Sequence, residues 1–414
     1  LIKVARPEPK RGGLTPIDLA LEHLLSTLPE FPETETIESS QACGRVLAAD
    51  CVAAISMPPQ ANSAMDGYAL RSADASEAPA SLIVSQRIPA GKTGVPLEPG
   101  QAARIFTGAG VPEGADAVVM QENTEVDGER LTVLQAVRPG ENLRPEGEDF
   151  KAGAVLLKAG HRLLAQDVGL LAAAGIVEIE VARSPRVAIM ATGDELVTPG
   201  TKLNAGQIYN SNAYSLVCLL QSLGVEPINL GIIADDPDAT DRALRQAAEK
   251  ADCIISTGGV SVGEEDHVKA AIEKHGHLDL WKLAIKPGKP FASGKVHGKQ
   301  FFGLPGNPVS SFVTFVLLVR PALLRLQGCS KLTPLSLPVA AGFSRPVSGS
   351  RQEYLRVCLQ QNTAGRVELQ PYVNQSSGVA ASLSGADGLA IIPPQTPVAE
   401  GDMLSFLPFS ELLN

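Results

Sequence analysis

Asp252–His267 reads DCIISTGGVSVGEEDH, and its order of residue types points to an α/β fold. Cys253, Ile254 and Ile255 form the short apolar run of a buried strand. The run breaks into Thr257-Gly258-Gly259, then Ser261 and Gly263, before the acidic pair Glu264-Glu265 opens a helix. A buried strand leading through glycines into a helix start can build an anion site. Glycine lets the backbone approach an oxyanion, free N–H groups donate, and the helix terminus is partly positive. The same pattern also suits a plain strand-to-helix turn. The weight of the first reading depends on what the neighbouring strand ends carry.

Outward from that stretch, strand and helix patterns alternate. Arg186 to Ala191 (RVAIMA) is an expected strand ending in Thr192-Gly193-Asp194-Glu195. Asn210 to Leu223 is an expected helix stopped by Gly224, and Val225 to Ala234 a strand ending in Asp235-Asp236. Asp238 to Lys250 is the helix before the opening strand. Beyond it, Leu278 to Ile285 leads into Lys286-Pro287-Gly288-Lys289-Pro290, and Gln300 to Leu304 ends in Pro305-Gly306-Asn307-Pro308. Asn307 is placed to cap, and Pro308 to begin, a long helix through Leu326. This is the pattern of a doubly wound α/β domain, in which ligands bind beyond the carboxyl ends of the strands.

The flanks differ. Leu1 to Gly13 reads as a flexible arm, and Thr15-Pro16 starts a helix with Ile17, Leu21, Leu24, Leu25 and Leu28 on one face. Between Ser56 and Phe150, turns at Pro58-Pro59, Ala90-Gly91, Pro99-Gly100, Asp127-Gly128 and Pro139-Gly140 cut the chain into short strands, a small β-rich domain. Lys158 to Val181 holds a strand-like piece and a helix from Ala165 to Ala174. From Leu335 to Asn414 apolar and polar residues alternate between turns, which suggests a second β-rich module, a small barrel.

Composition narrows the function. The 414 residues carry a formal charge of -10, which argues against a nucleic-acid binder. The six cysteines (Cys43, Cys51, Cys218, Cys253, Cys329, Cys358) show no CxxC pairing, so neither a zinc site nor a disulfide framework is expected. No stretch reads as a membrane helix; Phe312 to Val319 is too short and runs into Arg320 and Pro321. The basic start lacks an apolar core, so no secretory signal is expected and the protein is read as cytoplasmic.

The expected strand ends carry glycines and hydroxyls that can hold phosphate, lysines that can neutralise it, and carboxylates that can hold a hard cation such as Mg²⁺. Bland readings stand beside these. Asp194 or Glu195 can serve as an N-cap, Asp235-Asp236-Pro237 can simply begin a helix, and Asp266 and His267 can lie on a solvated helix face. Asn62–Ala69 and Arg104–Ala109 place polar residues beside glycine in apolar surroundings, which suits turns as well as function. Lys282, beside Trp281 in an apolar strand, and Lys286 and Lys289, bracketing a Pro-Gly turn, look less like ordinary surface. The residues alone reach a Mg²⁺-dependent enzyme acting on a phosphorylated or nucleotide-bearing compound. No Ser/His/Asp triad, Walker A loop or dinucleotide fingerprint is present.

The segments NSAMDGYAL, RIFTGAGVPEGADAVVMQE, RPEGEDF, ATGDELV, IYNSN, GIIADDP, STGGVSVGEEDH, WKLAIKPGKP, GLPGNPVSS and QSSGVAASLSGADGLAIIP resemble the MoeA family, the molybdopterin molybdenumtransferases, to which the gephyrin C-terminal domain is related. The resemblance runs from about Met57 to Pro393. It implies a multidomain α/β plus β architecture. A helical linker domain is built from 1–53 and 150–183, with a β-rich insertion at 54–149. A central doubly wound molybdopterin-binding domain follows at 184–329, and a β-barrel at 330–414. It implies a homodimer whose active site is shared between subunits, inserting molybdate into adenylylated molybdopterin with release of AMP. Matching the family's motifs, Asp66, Thr107, Glu195, Asp235, Asp266, Lys282 and Lys286 take the catalytic positions. Glu195, Asp235, Asp266 and Asp149 are the expected Mg²⁺ ligands. Thr192, Gly193, Gly258, Gly259, Ser261, Gly263, Lys289, Pro305, Asn307 and Ser310 are expected to bind the pterin compound. The resemblance does not fix a molybdate contact in the Gln375–Gly378 loop. The upstream adenylyltransferase and downstream cofactor acceptors are expected partners. Two alternatives are the adenylyltransferase activity itself and a gephyrin-like scaffold. The first is disfavoured because Val260-Ser261-Val262-Gly263-Glu264-Glu265-Asp266 replaces that enzyme's motif, and the second because a scaffold does not need the full carboxylate and lysine set.

Overall fold

The computed structural model describes residues 13–29, 33–259 and 267–413. The arm expected at Leu1 to Gly13 falls almost wholly outside them, as do Ser261, Gly263 and Asp266.

Three six-stranded sheets organise the chain. The central one has the spatial order Glu226–Ile233, Arg186–Thr192, Cys253–Thr257, Lys299–Leu304, Pro290–Val296, Gly276–Lys282. Its first four strands are parallel, with Ile189 beside Ile255 and Ile255 beside Phe302. Residues of Arg186–Thr192 and Cys253–Thr257 are buried on both faces, as their unbroken apolar sequence requires. Helices Ser211–Ser222 and 308–326 cover one face through a core with Ile255 and Phe302, and helices Pro237–Lys250 and His267–His275 cover the other through Ile254 and Phe301. The domain is doubly wound.

One strand is not legible in the sequence. Pro290–Val296 runs antiparallel between Lys299–Leu304 and Gly276–Lys282, so the sheet is mixed. Its small residues Ala292, Ser293 and Gly294 carry no strand signal of their own. At Gly294 the strands pack closely: a Cβ there would strike the His277 carbonyl. The expected single strand Leu278 to Ile285 is two pieces, Gly276–Lys282 and Ile285–Lys286, and the second pairs with the C-terminal sheet.

The helix after Asn307 is continuous from Pro308 to Leu326 but winds as a π-helix at Phe315–Val319. Pro321 lacks the N–H that a regular turn would donate back to Leu317, which accounts for the local rewinding. This 19-residue run is long and apolar enough to cross a membrane by length and composition, and 78% of an 18-residue stretch of it is buried inside the fold. The expectation that no stretch reaches that length needs this correction. It is a core helix.

The N-terminal helix Ile17–Ser26 lays Ile17, Ala20 and Leu24 on the same core as Phe315 and Leu323. Thr15 extends the edge of the central sheet, its N–H donating to the Lys282 carbonyl at 2.8 Å. The inserted sheet (Gly67–Leu70, Ala80–Ile88, Gln101–Ile105, Ala117–Met120, Thr124–Asp127, Arg130–Val133) has two apolar cores made only of residues between 68 and 143. At the C-terminal end, Gln352–Gln361, Val367–Pro371, Leu337–Ala341, Met403–Pro408 and Gly388–Ile392 pair in a ring that closes on Gln352–Gln361, a five-stranded barrel.

Candidate active site

A cleft of about 680 Å³ opens at the carboxyl edge of the parallel strands. That volume lies within the roughly 300–1,000 Å³ range usual for small-molecule sites. Of the residues expected to bind, Thr192, Gly258, Gly259, Pro305, Asn307 and Ser310 line it, and Glu195 joins them.

The local sequence explains how. Gly258 and Gly259 have φ of +87° and +64°, and a Cβ on Gly258 would lie 2.5 Å from the Thr192 carbonyl oxygen. Only glycine passes so close to the neighbouring strand end. The Gly258 N–H donates to the Leu304 carbonyl at 3.2 Å, so it is not free for an anion. The amide cradle read from the sequence loses that donor. The Thr192 hydroxyl, by contrast, is buried in the cleft wall without a partner among the described residues. Gly193, at φ +142°, leaves room for the Glu195 side chain: a Cβ there would be 2.5 Å from Glu195 Oε2.

Asn307 begins the long helix but makes no side-chain cap bond, so its amide is available to the cleft. Asp236, with Pro237 at the first helical position, caps the next helix by accepting from the Ala239 N–H at 2.7 Å. That frees Asp235, which is exposed at the end of its strand.

Several cleft residues are not among the expected site residues. Leu196–Val197 pairs with Ile208–Tyr209, and this short ladder swings Tyr209, Asn210 and Asn212 into the wall. Asn212 Nδ2 donates to the Gly306 carbonyl at 2.8 Å, tying this segment to the last strand end. The polar residues that follow Ile208-Tyr209 are the one available signal. Gly378 reaches the cleft from the barrel, anchored where the Val309 N–H donates to the Ser377 carbonyl at 3.0 Å. No local pattern connects that loop to strand ends some seventy or more residues earlier.

The lysines form a separate group. Gly276–Lys282 lies two strands beyond Lys299–Leu304 and runs the same way, so Lys282 ends at the cleft edge, about 10 Å along the sheet. Trp281 is buried and Lys282 exposed by simple alternation, Trp281 Nε1 donating to Ser293 Oγ at 3.1 Å. Edge-strand geometry therefore accounts for a lysine beside tryptophan. Lys286 Nζ sits 3.5 Å from the buried Glu353, which also holds Arg345 at 2.7 Å. Gly288 (φ +105°) keeps the Lys286–Lys289 turn against Thr314, where a Cβ would come within 2.8 Å.

Asp66 and Thr107 meet in the inserted sheet. Asp66 Oδ1 accepts from the Thr107 N–H at 2.8 Å and from its hydroxyl at 2.7 Å. The backbone N–H, then the hydroxyl, hold the Asp66 carboxyl below its ordinary range. Both side chains are exposed. Asp149 is exposed at the exit of the inserted segment. Among the described residues, Asp149, Glu195 and Asp235 do not converge into a three-ligand group.

A larger cavity, about 760 Å³, lies between the linker segments, the long helix and the C-terminus. Its arginines are spent on backbone: Arg162 donates to the Gly44 and Ser222 carbonyls and Arg320 to those of Leu332 and Glu411. It lacks the strand ends that give the smaller cleft its chemistry.

The comparisons with known proteins agree along the whole chain. Family models described as the MoeA N-terminal region (domain I and II), "Probable molybdopterin binding domain" and the MoeA C-terminal region (domain IV) match residues 15–175, 188–325 and 339–409. A molybdopterin molybdenumtransferase of Haemophilus influenzae is 37% identical over 96% of this chain and 99% of its own. The chain belongs to the MoeA family. A Nostoc relative of the same name is 38% identical over 90% of this chain and 87% of its own. The crystal structure of a molybdopterin biosynthesis moeA protein from Pyrococcus horikoshii, at 31% identity, superposes with a TM-score of 0.82 over 96% of this chain and all of that one. Apart from Gly378 and Ala380 of the barrel, the residues lining the cleft fall within the segment matched as a probable molybdopterin-binding domain.

Proposed function

We propose that this MoeA protein transfers molybdenum from molybdate to molybdopterin, and that the pterin arrives adenylylated and leaves AMP behind. One observation carries the reading. A cleft lined by glycine turns, hydroxyls and a free carboxylate sits at the carboxyl edge of the sheet, in a chain matched end to end by molybdopterin molybdenumtransferases. That end-to-end match, including both flanking regions, favours this reading over the adenylyltransferase or a scaffold.

In this reading Thr192, Asn307 and Ser310 orient the pterin and its phosphate, while Asn212 keeps the Gly306 turn in place. Lys282, Lys286 and Lys289 lower the local negative potential as molybdate approaches. Glu195 and Asp235 follow adjacent strands, Thr192 lying beside Ile233, and neither carboxylate is ion-paired among the described residues. Such oxygen donors suit Mg²⁺, which takes one or two carboxylates and fills its shell with water and substrate oxygens. Bound there, Mg²⁺ would offset the charge of the phosphates.

The Asp66–Thr107 turn belongs to a sheet whose cores exclude the α/β domain. We infer that a second copy presents this turn to the cleft, so the working unit is a homodimer. The six unpaired cysteines are consistent with the reducing cytoplasm.

The deciding experiment mixes purified protein, molybdate and Mg²⁺ with adenylylated molybdopterin and measures AMP. The expected result is molybdate-dependent AMP release that Asp66→Ala and Lys282→Ala both abolish. Wild-type protein that instead makes adenylylated molybdopterin from ATP sinks the proposal.

A further inference from the structure

Asp241, His275 and His297 come together from three separate elements: the helix Pro237–Lys250, the last residue of the helix His267–His275, and the turn joining Pro290–Val296 to Lys299–Leu304. Their ligand atoms all lie within 4.8 Å of one another. The cleft begins at Pro305, at the other end of the strand Lys299–Leu304, about 20 Å from the turn.

Asp241 Oδ1, His275 Nε2 and His297 Nε2 are all buried. His275 Nε2 and Asp241 Oδ1 form an ion pair at 2.5 Å, while His297 Nε2 has no partner among the described residues. A buried polar atom left unpaired is uncommon and calls for an explanation. Here it faces a close histidine–carboxylate pair. The imidazoles stack at 4.5 Å between centroids and 27° between planes. The Asp241 carboxylate is steadied on its far oxygen, Oδ2 accepting from Arg245 Nη2 at 3.0 Å, which leaves Oδ1 for the cluster. His297 holds a left-handed backbone, φ +49°, and its N–H donates to the His275 carbonyl at 3.2 Å. The strained turn and this bond fix one ring over the other.

We propose that Asp241, His275 and His297 form a binding site for a divalent first-row transition metal, Zn²⁺ being the ion that best suits it. Two imidazole nitrogens and one carboxylate oxygen are a ligand set that Zn²⁺ accepts, with a fourth position left for water. Mg²⁺, which prefers all-oxygen shells, is a poor match. Bond lengths of about 2.0–2.1 Å place tetrahedral ligand atoms about 3.3 Å apart, so the His275–Asp241 pair opens slightly to admit the ion. Arg245, bonded to the outer oxygen, acts as the orienting partner that metal-bound carboxylates commonly have. The bound ion staples the hairpin to the two helices on that face of the sheet, one of which follows directly on the Thr257–Asp266 segment.

The test uses the full chain, stripped with a chelator and titrated with Zn²⁺ alone, without molybdate or pterin. The wild type should take up one equivalent, melt at a higher temperature with it, and give the visible bands of four-coordinate Co²⁺ when that ion replaces zinc. His275→Ala and His297→Asn should each weaken Zn²⁺ binding by about 100-fold or more; asparagine tolerates the left-handed backbone at 297. Circular dichroism of each metal-free variant checks the fold. His297→Asn should release AMP at the wild-type rate, which separates this site from the cleft. Absence of a stoichiometric Zn²⁺ site, or undiminished affinity in both folded variants, overturns the proposal.

Discussion

Thr107 holds Asp66 twice, donating its backbone N–H at 2.8 Å and its hydroxyl at 2.7 Å to the same oxygen, Oδ1. Arg104 adds a weaker electrostatic pull from alongside. An exposed carboxylate is thereby kept ionised and aimed, with nothing else in its own sheet to act upon.

That pair of bonds sets a pH prediction. The Asp66 carboxyl is lowered from its ordinary 3.8, chiefly by the backbone N–H. A depressed folded-state value means the stabilisation is present above the unfolded pKa and is lost as pH falls through the folded one. Thr107→Val removes the hydroxyl and keeps the N–H, so the Asp66 pKa should rise only part of the way to 3.8. Carboxyl-carbon NMR titration reads this directly. A complete return to the ordinary value would show that the hydroxyl, not the backbone, does the holding.

If the Asp66–Thr107 turn serves a second subunit, complementation should reveal it. Mixing Asp66→Ala with Lys282→Ala chains and allowing them to exchange should restore AMP release to about a quarter of wild type, since half the dimers are mixed and each has one intact site. Dimers that form but show no rescue would place Asp66 and Lys282 in one chain's site.

Gly258→Ala should destabilise the α/β domain by about 1–3 kcal/mol, because a left-handed backbone and a 2.5 Å approach to the Thr192 carbonyl both oppose a side chain. Gly306→Ala meets nothing within 4 Å and should fold normally. Urea unfolding of the pair compares them, and equal midpoints would contradict the close approach.

Arg356 is 1% exposed and donates to Ser382 Oγ at 3.1 Å and to the Ser376 carbonyl at 3.2 Å, with burial lowering its pKa. It holds the loop that carries Gly378 to the cleft, and Gln375 Nε2 locks the same loop to the Arg356 carbonyl at 2.8 Å. Arg356→Met should cost about 1–3 kcal/mol, taking the guanidinium from the buried Ser382 hydroxyl, and should raise KM for the pterin substrate more than it lowers kcat. An unchanged KM would detach this loop from the site.

Lys286 is half exposed where it meets Glu353, with a side-chain exposure of 51% against 4%. Surface pairing of that kind is worth about 1 kcal/mol or less. Lys286→Ala should therefore melt within a few degrees of wild type, and any large loss of AMP release would reflect the reaction rather than folding. Glu353→Ala should unfold more readily, because it strands Arg345.

Much of the central domain is legible in the order of its residues. Apolar runs at 187–191 and 253–255 specify strands buried on both faces, and alternation with helical segments specifies a doubly wound sheet, since period and burial are local properties of a chain. Thr192, Glu195, Gly258, Gly259 and Asn307 stand out because strand ends in such sheets face one edge. Pro290–Val296 does not, because its small residues answer to a neighbouring strand rather than to local propensity. Asn210, Asn212 and Gly378 stay hidden because each reaches the cleft through a partner distant in sequence.

The Asp252–His267 stretch shows where the division falls. Its sequence alone determined a buried strand, a glycine turn and a position at the ligand-binding edge, because these follow from side-chain volume, backbone freedom and strand period. Only the tertiary structure decided that the Gly258 N–H is given to Leu304, that both glycines exist to clear Thr192 and Val268, and that a barrel loop completes the wall. The same holds for Asp241, His275 and His297, which no spacing rule connects. Hydrogen-bond partners and steric approach are settled between segments far apart in the chain, and a linear sequence does not contain those distances.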